Sequence, residues 1–423
     1  MSILRELLND IPIPQVVKIR QKFDRTILEN PEQELADKLA SSGVMETILP
    51  GQQVAVAVGS RGIANIAGFT KTTIDAIKAK GAFPFIVPCM GSHGGATAEG
   101  QTEVLLHFGI TEASMGAPIR SSMEVVKIDE LPNGLPVYVD RIASEADAIV
   151  VINRVKPHTA FRGRIESGIM KMIAIGLGKQ KGAEACHQLG FKYMAENVPA
   201  MANLMIQKLP IVFGVALVEN AYDETCRVEV LPAAEIEERE EQLLIEAKAR
   251  LPKILFDEID VLVIDYIGKN ISGDGMDPNV TGRYPTPYAH GGPDVAKMVV
   301  LDLTPETKGN ANGVGTADFT TQRLVDQTNL EFTYANGLTS TVCAPTKIAT
   351  TLENDFYAIK AAVKTCNILD YTKCKLVRIQ DTLHLGEIEI SVNLLDAARV
   401  HPDIEILSEP YELSFNAEGN ISK

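Results

Sequence analysis

At 423 residues the chain is long enough for two domains, and a hydrophobic share of 45% supplies a core for each. A formal net charge of -15 repels phosphate backbones and anionic bilayers, which argues against nucleic acid and membrane surfaces as partners. No apolar stretch approaches the ~18 residues of a membrane span, no basic segment precedes an apolar run at the start, and the six cysteines include no C-x-x-C pair, so the chain reads as soluble and cytoplasmic with reduced thiols.

In chain order, Val54–Val58 (VAVAV) predicts a buried strand. Helical spacing from Ile63 to Lys80 follows and stops at Gly81. A second strand is expected over Phe83–Val87 and a helix over Thr97–Phe108. The alternation continues with a strand at Ala148–Asn153, two helical stretches between Ile165 and Leu189, a helix from Tyr193 to Lys208 and a strand at Ile211–Val218. The charged helix Ala233–Arg250 is read as a solvated face, and Leu251-Pro252 ends it. Beyond it come strands at Ile259–Ile264, Met298–Leu303 and Leu376–Ile379, with helices over Thr316–Gln327 and Glu353–Cys366. Repeated strand–helix alternation points to an α/β fold: two α/β domains with largely parallel sheets. The boundary falls at 250/251, giving an N-terminal domain of residues 1–250 and a C-terminal domain of 251–423.

Four loops carry chemistry-bearing residues where a parallel sheet presents its ligand-binding edge. Gly59-Ser60-Arg61-Gly62 follows the first strand, and Arg61 is a candidate bidentate clamp for a carboxylate or phosphate. Met90 to Thr97 holds His93, a candidate acid/base group, beside Gly94 and Gly95, which allow close backbone approach before a helix N-terminus. Asn153 to His158 leads to Ser167-Gly168-Ile169-Met170-Lys171 and on to His187. Lys171 projects away from the stripe of Ile165, Ile169, Met172 and Ile173, so alone it reads as a solvated lysine; His158 and His187 have equally plain structural readings. Gly268 to Arg283 is a long polar loop behind a buried strand, with Lys269 and Arg283 as candidate anion binders. There is no G-x-x-x-x-G-K-[ST], G-x-S-x-G or H-E-x-x-H motif, which weakens the phosphate-loop, serine hydrolase and zincin readings.

The order and context of these loops resemble the lactate racemase family, whose members carry a nickel-pincer nucleotide. The likeness rests on Ser60-Arg61, Gly91-Ser92-His93, Pro157-His158, Ser167-Gly168-x-x-Lys171 and His187. It implies that Lys171 tethers the cofactor, with Ser167, Gly168, Gly94 and Gly95 around it, and that His187 ligates nickel. It also implies that His93 and His158 are an acid/base pair serving opposite faces of a small 2-hydroxy acid, whose α-hydrogen moves as hydride. Arg61, Lys269 and Arg283 are then the substrate binders, and the active site lies in the interdomain cleft, with the first domain binding cofactor and the second closing over substrate. Val58 stands where those enzymes carry an acidic residue, and the stretch from His158 to Lys171 is longer and contains Arg162 and Arg164. The abundance of cations suggests a substrate larger or more anionic than lactate, a dicarboxylic or polyhydroxylated 2-hydroxy acid. Two alternatives remain: a different metalloenzyme in which His93, His158 and His187 hold zinc, or a non-catalytic protein that binds an anionic metabolite.

Overall fold

The structure, a computed structural model, describes residues 3–59 and 62–422. In chain order the strands are β1 (Val16–Gln21), β2 (Gln53–Val58), β3 (Phe83–Pro88), β4 (Val125–Glu130), β5 (Pro136–Asp140), β6 (Ala148–Arg154), β7 (Ile211–Glu219) and β8 (Thr225–Pro232). They continue with β9 (Glu258–Ile267), β10 (Asp294–Leu303), β11 (Phe319–Thr321), β12 (Thr350–Leu352), β13 (Leu376–Ile379), β14 (Glu387–Ser391) and β15 (Ile404–Ile406). Two units result: Arg25–Leu251, and a discontinuous one made of Met1–Asp24 with Pro252–Lys423. The sequence reading puts a boundary at 250/251; the units divide after Leu251. The first 24 residues, expected with the N-terminal domain, instead fold with the C-terminal segment, because β1 pairs antiparallel with β14 and β15.

The 25–251 unit is built on a sheet of order β3-β2-β6-β7-β8. All its pairings are parallel except β7 with β8. Val54 through Val58 are buried without interruption, the signature of a strand covered on both faces. One face packs Val54, Val56, Ile86 and Ile152 against Phe69, Ile74 and Ile77 of the Ile66–Ala79 helix. That helix ends before Gly81, which takes a φ of 77°. Each fully buried aliphatic or phenyl side chain of this kind contributes about 1.5–3 kcal/mol over leaving it exposed. The strand order reverses at β2, which lies between β3 and β6. The C-terminal ends of these three neighbours therefore open side by side, at the kind of switch point where α/β sheets bind ligands.

The discontinuous unit has an eight-stranded mixed sheet of order β12-β11-β10-β9-β13-β14-β1-β15. Alternate residues of β9 enter different cores: Leu262 and Ile264 one, Val261 and Val263 the other, as the two-residue period of a strand requires. The helix expected over Thr316–Gln327 is corrected here. Its first part is β11, parallel to β10, and the helix covers only Gln322–Gln327. Thr320 and Thr321 are fully buried and donate their hydroxyls to carbonyls of β10, so β-branched residues next to a waiting edge became strand. Among the described residues no helix is long and apolar enough to cross a membrane.

Candidate functional site

Three loops leave the C-terminal ends of β2, β3 and β6. Ser60 and Arg61, in the first, lie outside the described residues. The second runs from Cys89 to the Ala98–His107 helix, which Thr97 caps by accepting the Gly100 amide at 3.0 Å. Gly94 has a φ of 65°, and a Cβ there would fall 2.6 Å from the Gln101 amide nitrogen, so a side chain is excluded. At Gly95 a Cβ would meet nothing within 4 Å; that position faces open space. His93 is partly buried, and its carbonyl accepts from the Gln101 side chain at 3.2 Å.

The third loop is closed like a purse. Lys156 and Ser167 exchange both backbone hydrogen bonds, at 2.8 and 3.2 Å, and residues 157–166 bulge out between them. Glu166, whose side chain is completely buried, organises the bulge. Its carboxylate accepts the amides of His158 at 2.8 Å and Gly163 at 3.3 Å, the Arg162 guanidinium at 3.3 Å, and Lys248 at 2.6 Å. Arg162 also donates to the His158 carbonyl at 2.6 Å. The sequence reading missed Glu166, since no local pattern marks an acid whose partner Lys248 lies 82 residues away.

After the bridge, Gly168 starts a helical run that carries Lys171 to His187. The run is α-helical over Ile169–Lys171, π-helical over Met172–Gly176 and α-helical again over Lys179–His187. Leu177 donates to the Met172 carbonyl at 2.9 Å across the wide turn. Such π-turns occur often at functional sites. The run opens beneath Glu240, whose carboxylate accepts the Met170 amide at 3.0 Å. A Cβ on residue 168 would fall 2.5 Å from Glu240 Oε1, so this carboxylate requires glycine there. Glu240 corrects the reading of the Ile236–Arg250 helix as a wholly solvated charged face. It is 1% exposed, and burial pushes its carboxyl up to about 7 despite the amides of Met170 and Ile169.

The β3 loop is fastened to the same run. Gly91 donates to the Gly176 carbonyl at 3.2 Å and the Cys89 thiol to the Met172 carbonyl at 3.2 Å. The buried Lys179 reaches the Pro88 carbonyl at 2.5 Å and the Gln101 side chain at 3.1 Å. The loops bearing His93 and His158 are thus both anchored to the segment bearing Lys171 and His187.

Lys171 Nζ lies 3.0 Å from His158 Nε2, so it is not the plain solvated lysine its helical position suggested. The His158 ring packs on Phe161 at 4.5 Å and Phe191 at 6.1 Å between centroids, and the His187 ring packs on Phe191 at 5.3 Å. His187 Nδ1 sits 2.6 Å from the Ala183 carbonyl. Because a carbonyl oxygen only accepts, Nδ1 bears the proton and Nε2 keeps its lone pair. Desolvation, the largest influence, holds this imidazole below the usual histidine range, and Lys171 lowers it further against the opposing Ala183 bond; the neutral ring is favoured.

The other predicted anion binders have partners within their own units. Within the discontinuous unit Lys269 donates to the Gly273 carbonyl at 2.6 Å. Arg283 donates to the carbonyls of Val295 and Ala296, both at 2.8 Å, and to Asp318 at 3.0 Å. Arg164 is exposed and paired with Glu241 at 2.8 Å. With Arg162 bound to Glu166 as well, the inference of a larger, more anionic substrate from surplus cations loses its support. Among the described residues no group of three or more His, Cys, Asp or Glu side chains is placed to hold a metal ion, so His93, His158 and His187 do not converge as the zinc alternative requires.

Residues 15–198 match the family model described as the lactate racemase N-terminal domain. This stretch is similar to that domain. The matched stretch contains His93, His158, Lys171 and His187. The structure of the lactate racemase apoprotein from Thermoanaerobacterium thermosaccharolyticum aligns with 92% of this chain and 91% of its own, at 12% sequence identity and a TM-score of 0.49. A search of curated proteins found no match.

Proposed function

We propose that this protein racemises or epimerises a small 2-hydroxy acid, using a nickel-pincer nucleotide held by Lys171 and His187. The observation that carries the reading is the His187 ring. Its Nδ1–H is spent on a backbone carbonyl, its neutral form is favoured by burial, and its Nε2 lone pair remains for a metal. This is the arrangement that orients metal-binding histidines in general, and it occurs on the run that also carries Lys171, inside the stretch that matches the lactate racemase N-terminal domain. The residues fit the group in two further respects. Lys171 offers an amine as tether close behind Ser167 and Gly168. The loop amides around Gly94 and Gly95, with open space at Gly95, suit a phosphate.

When bound, the nucleotide supplies an acceptor that takes the substrate's α-hydrogen and returns it. The chain's own residues do the rest. His93 and His158 take and return the hydroxyl proton, one for each enantiomer, since the two present their hydroxyls from opposite sides; imidazole is suited to both directions near neutrality. Phe161 and Phe191 keep one side of the site apolar and exclude water. Arg61, next after β2 and Gly59-Ser60, is assigned to the substrate carboxylate. The test uses protein loaded in a host that makes the nucleotide and a panel of single-enantiomer 2-hydroxy acids deuterated at the α-carbon. Inversion with the label retained, about one nickel per chain, and loss of nickel in His187→Ala are expected. Washout of the label into water, or full nickel in that variant, overturns the proposal.

A further inference from the structure

Two carbonyls of the His93 loop are held by one side chain. Gln101 stands in the opening turn of the Ala98–His107 helix and is wholly buried. Its Nε2 donates to the Gly91 carbonyl at 2.9 Å and to the His93 carbonyl at 3.2 Å. Its Oε1 accepts from Lys179 Nζ at 3.1 Å. The partners settle which end of the amide is which: an ammonium has no lone pair and a carbonyl has no proton. The oxygen therefore faces Lys179 and the NH2 faces the loop. At this length only an amide offers donors on one side and an acceptor on the other.

The loop has need of such a clip. Gly91, Gly94 and Gly95 all take positive φ, at 58°, 65° and 65°, and glycines leave a chain wide freedom that hydrogen bonds must remove. The bonds from His93 N to the Met90 carbonyl and from Ala96 N to the His93 carbonyl lie within the loop, so they shape it without attaching it. Gln101 attaches it, and does so to Lys179, which the buried Asp140 and the Pro88 carbonyl hold in turn. Lys179 opens the helix that ends at His187.

We propose that Gln101 is a positioning residue that acts through His93, keeping its loop in register with the run that carries Lys171 and His187. The inference deepens the proposed function and rests on the acid/base role given there to His93. A proton-transfer group displaced by an ångström loses about 100-fold in rate, so the clip bears on turnover although Gln101 itself is buried beneath the loop. Gln101→Glu isolates the effect. It keeps the length, the volume and the Lys179 partner, and replaces the two donor protons by an oxygen that repels the carbonyls of Gly91 and His93.

The experiment has two arms. On full-length protein without the nucleotide, hydrogen exchange in Gln101→Glu is expected to quicken about tenfold or more at the amides of residues 91–97, while β3 and residues 179–187 keep their protection. On loaded protein, Gln101→Glu is expected to keep its nickel and its KM and to lose about 10–100-fold in kcat. Gln101→Glu combined with His93→Ala is then no slower than His93→Ala alone, as for two residues that act as one unit. Unchanged exchange in the loop, nickel lost together with turnover, or a double variant slower than His93→Ala overturns the inference. Should Gln101→Glu fail to fold, nitrogen-15 NMR of the wild type decides: a Gln101 side-chain amide protected from exchange supports the clip, and one that exchanges like an exposed glutamine overturns it. If loaded wild type racemises no 2-hydroxy acid, or His93→Ala keeps the wild-type rate, the proposed function fails, and the exchange arm still decides whether Gln101 holds the loop.

Discussion

Lys179 Nζ lies 3.0 Å from an Asp140 carboxylate oxygen, and neither side chain is exposed. That oxygen, Oδ2, has no hydrogen bond of good geometry, so the contact acts through charge. Its twin Oδ1 accepts the Ala143 amide at 2.9 Å. Lys179 has a φ of 54°, an uncommon conformation for a residue with a side chain, kept by what its ammonium reaches: Asp140, the Pro88 carbonyl and Gln101. Lys179→Met strands a buried carboxylate and should cost about 3–5 kcal/mol in urea unfolding. Lys179→Met combined with Asp140→Leu should recover a large part of that loss, because buried pairs replaced by apolar residues are often close to neutral. A double variant as unstable as the single one refutes this account of the pair.

Glu240 predicts a pH dependence of stability. Burial raises its folded carboxyl from 4.5 to about 7, so between those values the folded protein holds a proton that the unfolded chain has released. Stability therefore falls as pH rises through that window and levels off above it. Glu240→Gln keeps an acceptor for the Met170 amide and cannot ionise. Relative to wild type it should gain on the order of 1–3 kcal/mol between pH 5 and pH 8, measured by denaturant titration at each pH. Parallel pH curves for the two proteins would contradict it.

Glu166→Gln should loosen the His158 loop without unfolding the sheet beneath it. The side-chain amide cannot satisfy Arg162 and Lys248 as a carboxylate does, and hydrogen bonds to charged groups are worth about 1.5–3 kcal/mol each. Hydrogen exchange is expected to quicken at the amides of His158 and Gly163, which donate to this carboxylate, while β6 stays protected. Equal protection at both places would show that the loop holds without the carboxylate.

Cysteine reactivity is predicted to be confined to one position. Cys343 is exposed and the other five are buried. Burial pushes the Cys89 and Cys186 thiols up to about 12, leaving almost no thiolate at neutral pH. Iodoacetamide on the native protein should therefore modify Cys343, with the remainder reacting only after denaturation. Rapid native labelling of Cys186, next to His187, would mean that the Lys179–His187 helix opens.

How much of this could be read in the sequence depends on how local each signal is. β2, β3 and β6 were legible because strands covered on both faces are unbroken apolar runs, and the loops after them followed from the strand ends. The helical character around Lys171 was legible too, but its π-turn was not, since apolar spacing cannot register one extra residue in a turn. Glu240 was misread although a signal existed: it sits on the stripe formed by Ile236, Leu243, Leu244 and Ala247, all buried, and an acid on an apolar stripe calls for a buried partner. Glu166 had no such signal, and neither did β1, whose partners in β14 lie some 370 residues further on.

The pairing of β1 with β14 and β15 also affects how the chain is made. A ribosome releases β1 first, and the strand must wait with its edges unmatched until residues 387–406 emerge. Meanwhile the 25–251 segment, with its sheet and cores internal to itself, can fold as a unit during synthesis. The early strand stays open to wrong pairing for most of translation, and exposed edges of this kind invite aggregation. Its sequence, Val-Val-Lys-Ile-Arg-Gln, places Lys18 and Arg20 between the apolar residues, the sort of charge that discourages a stray edge while the proper partner is still to come.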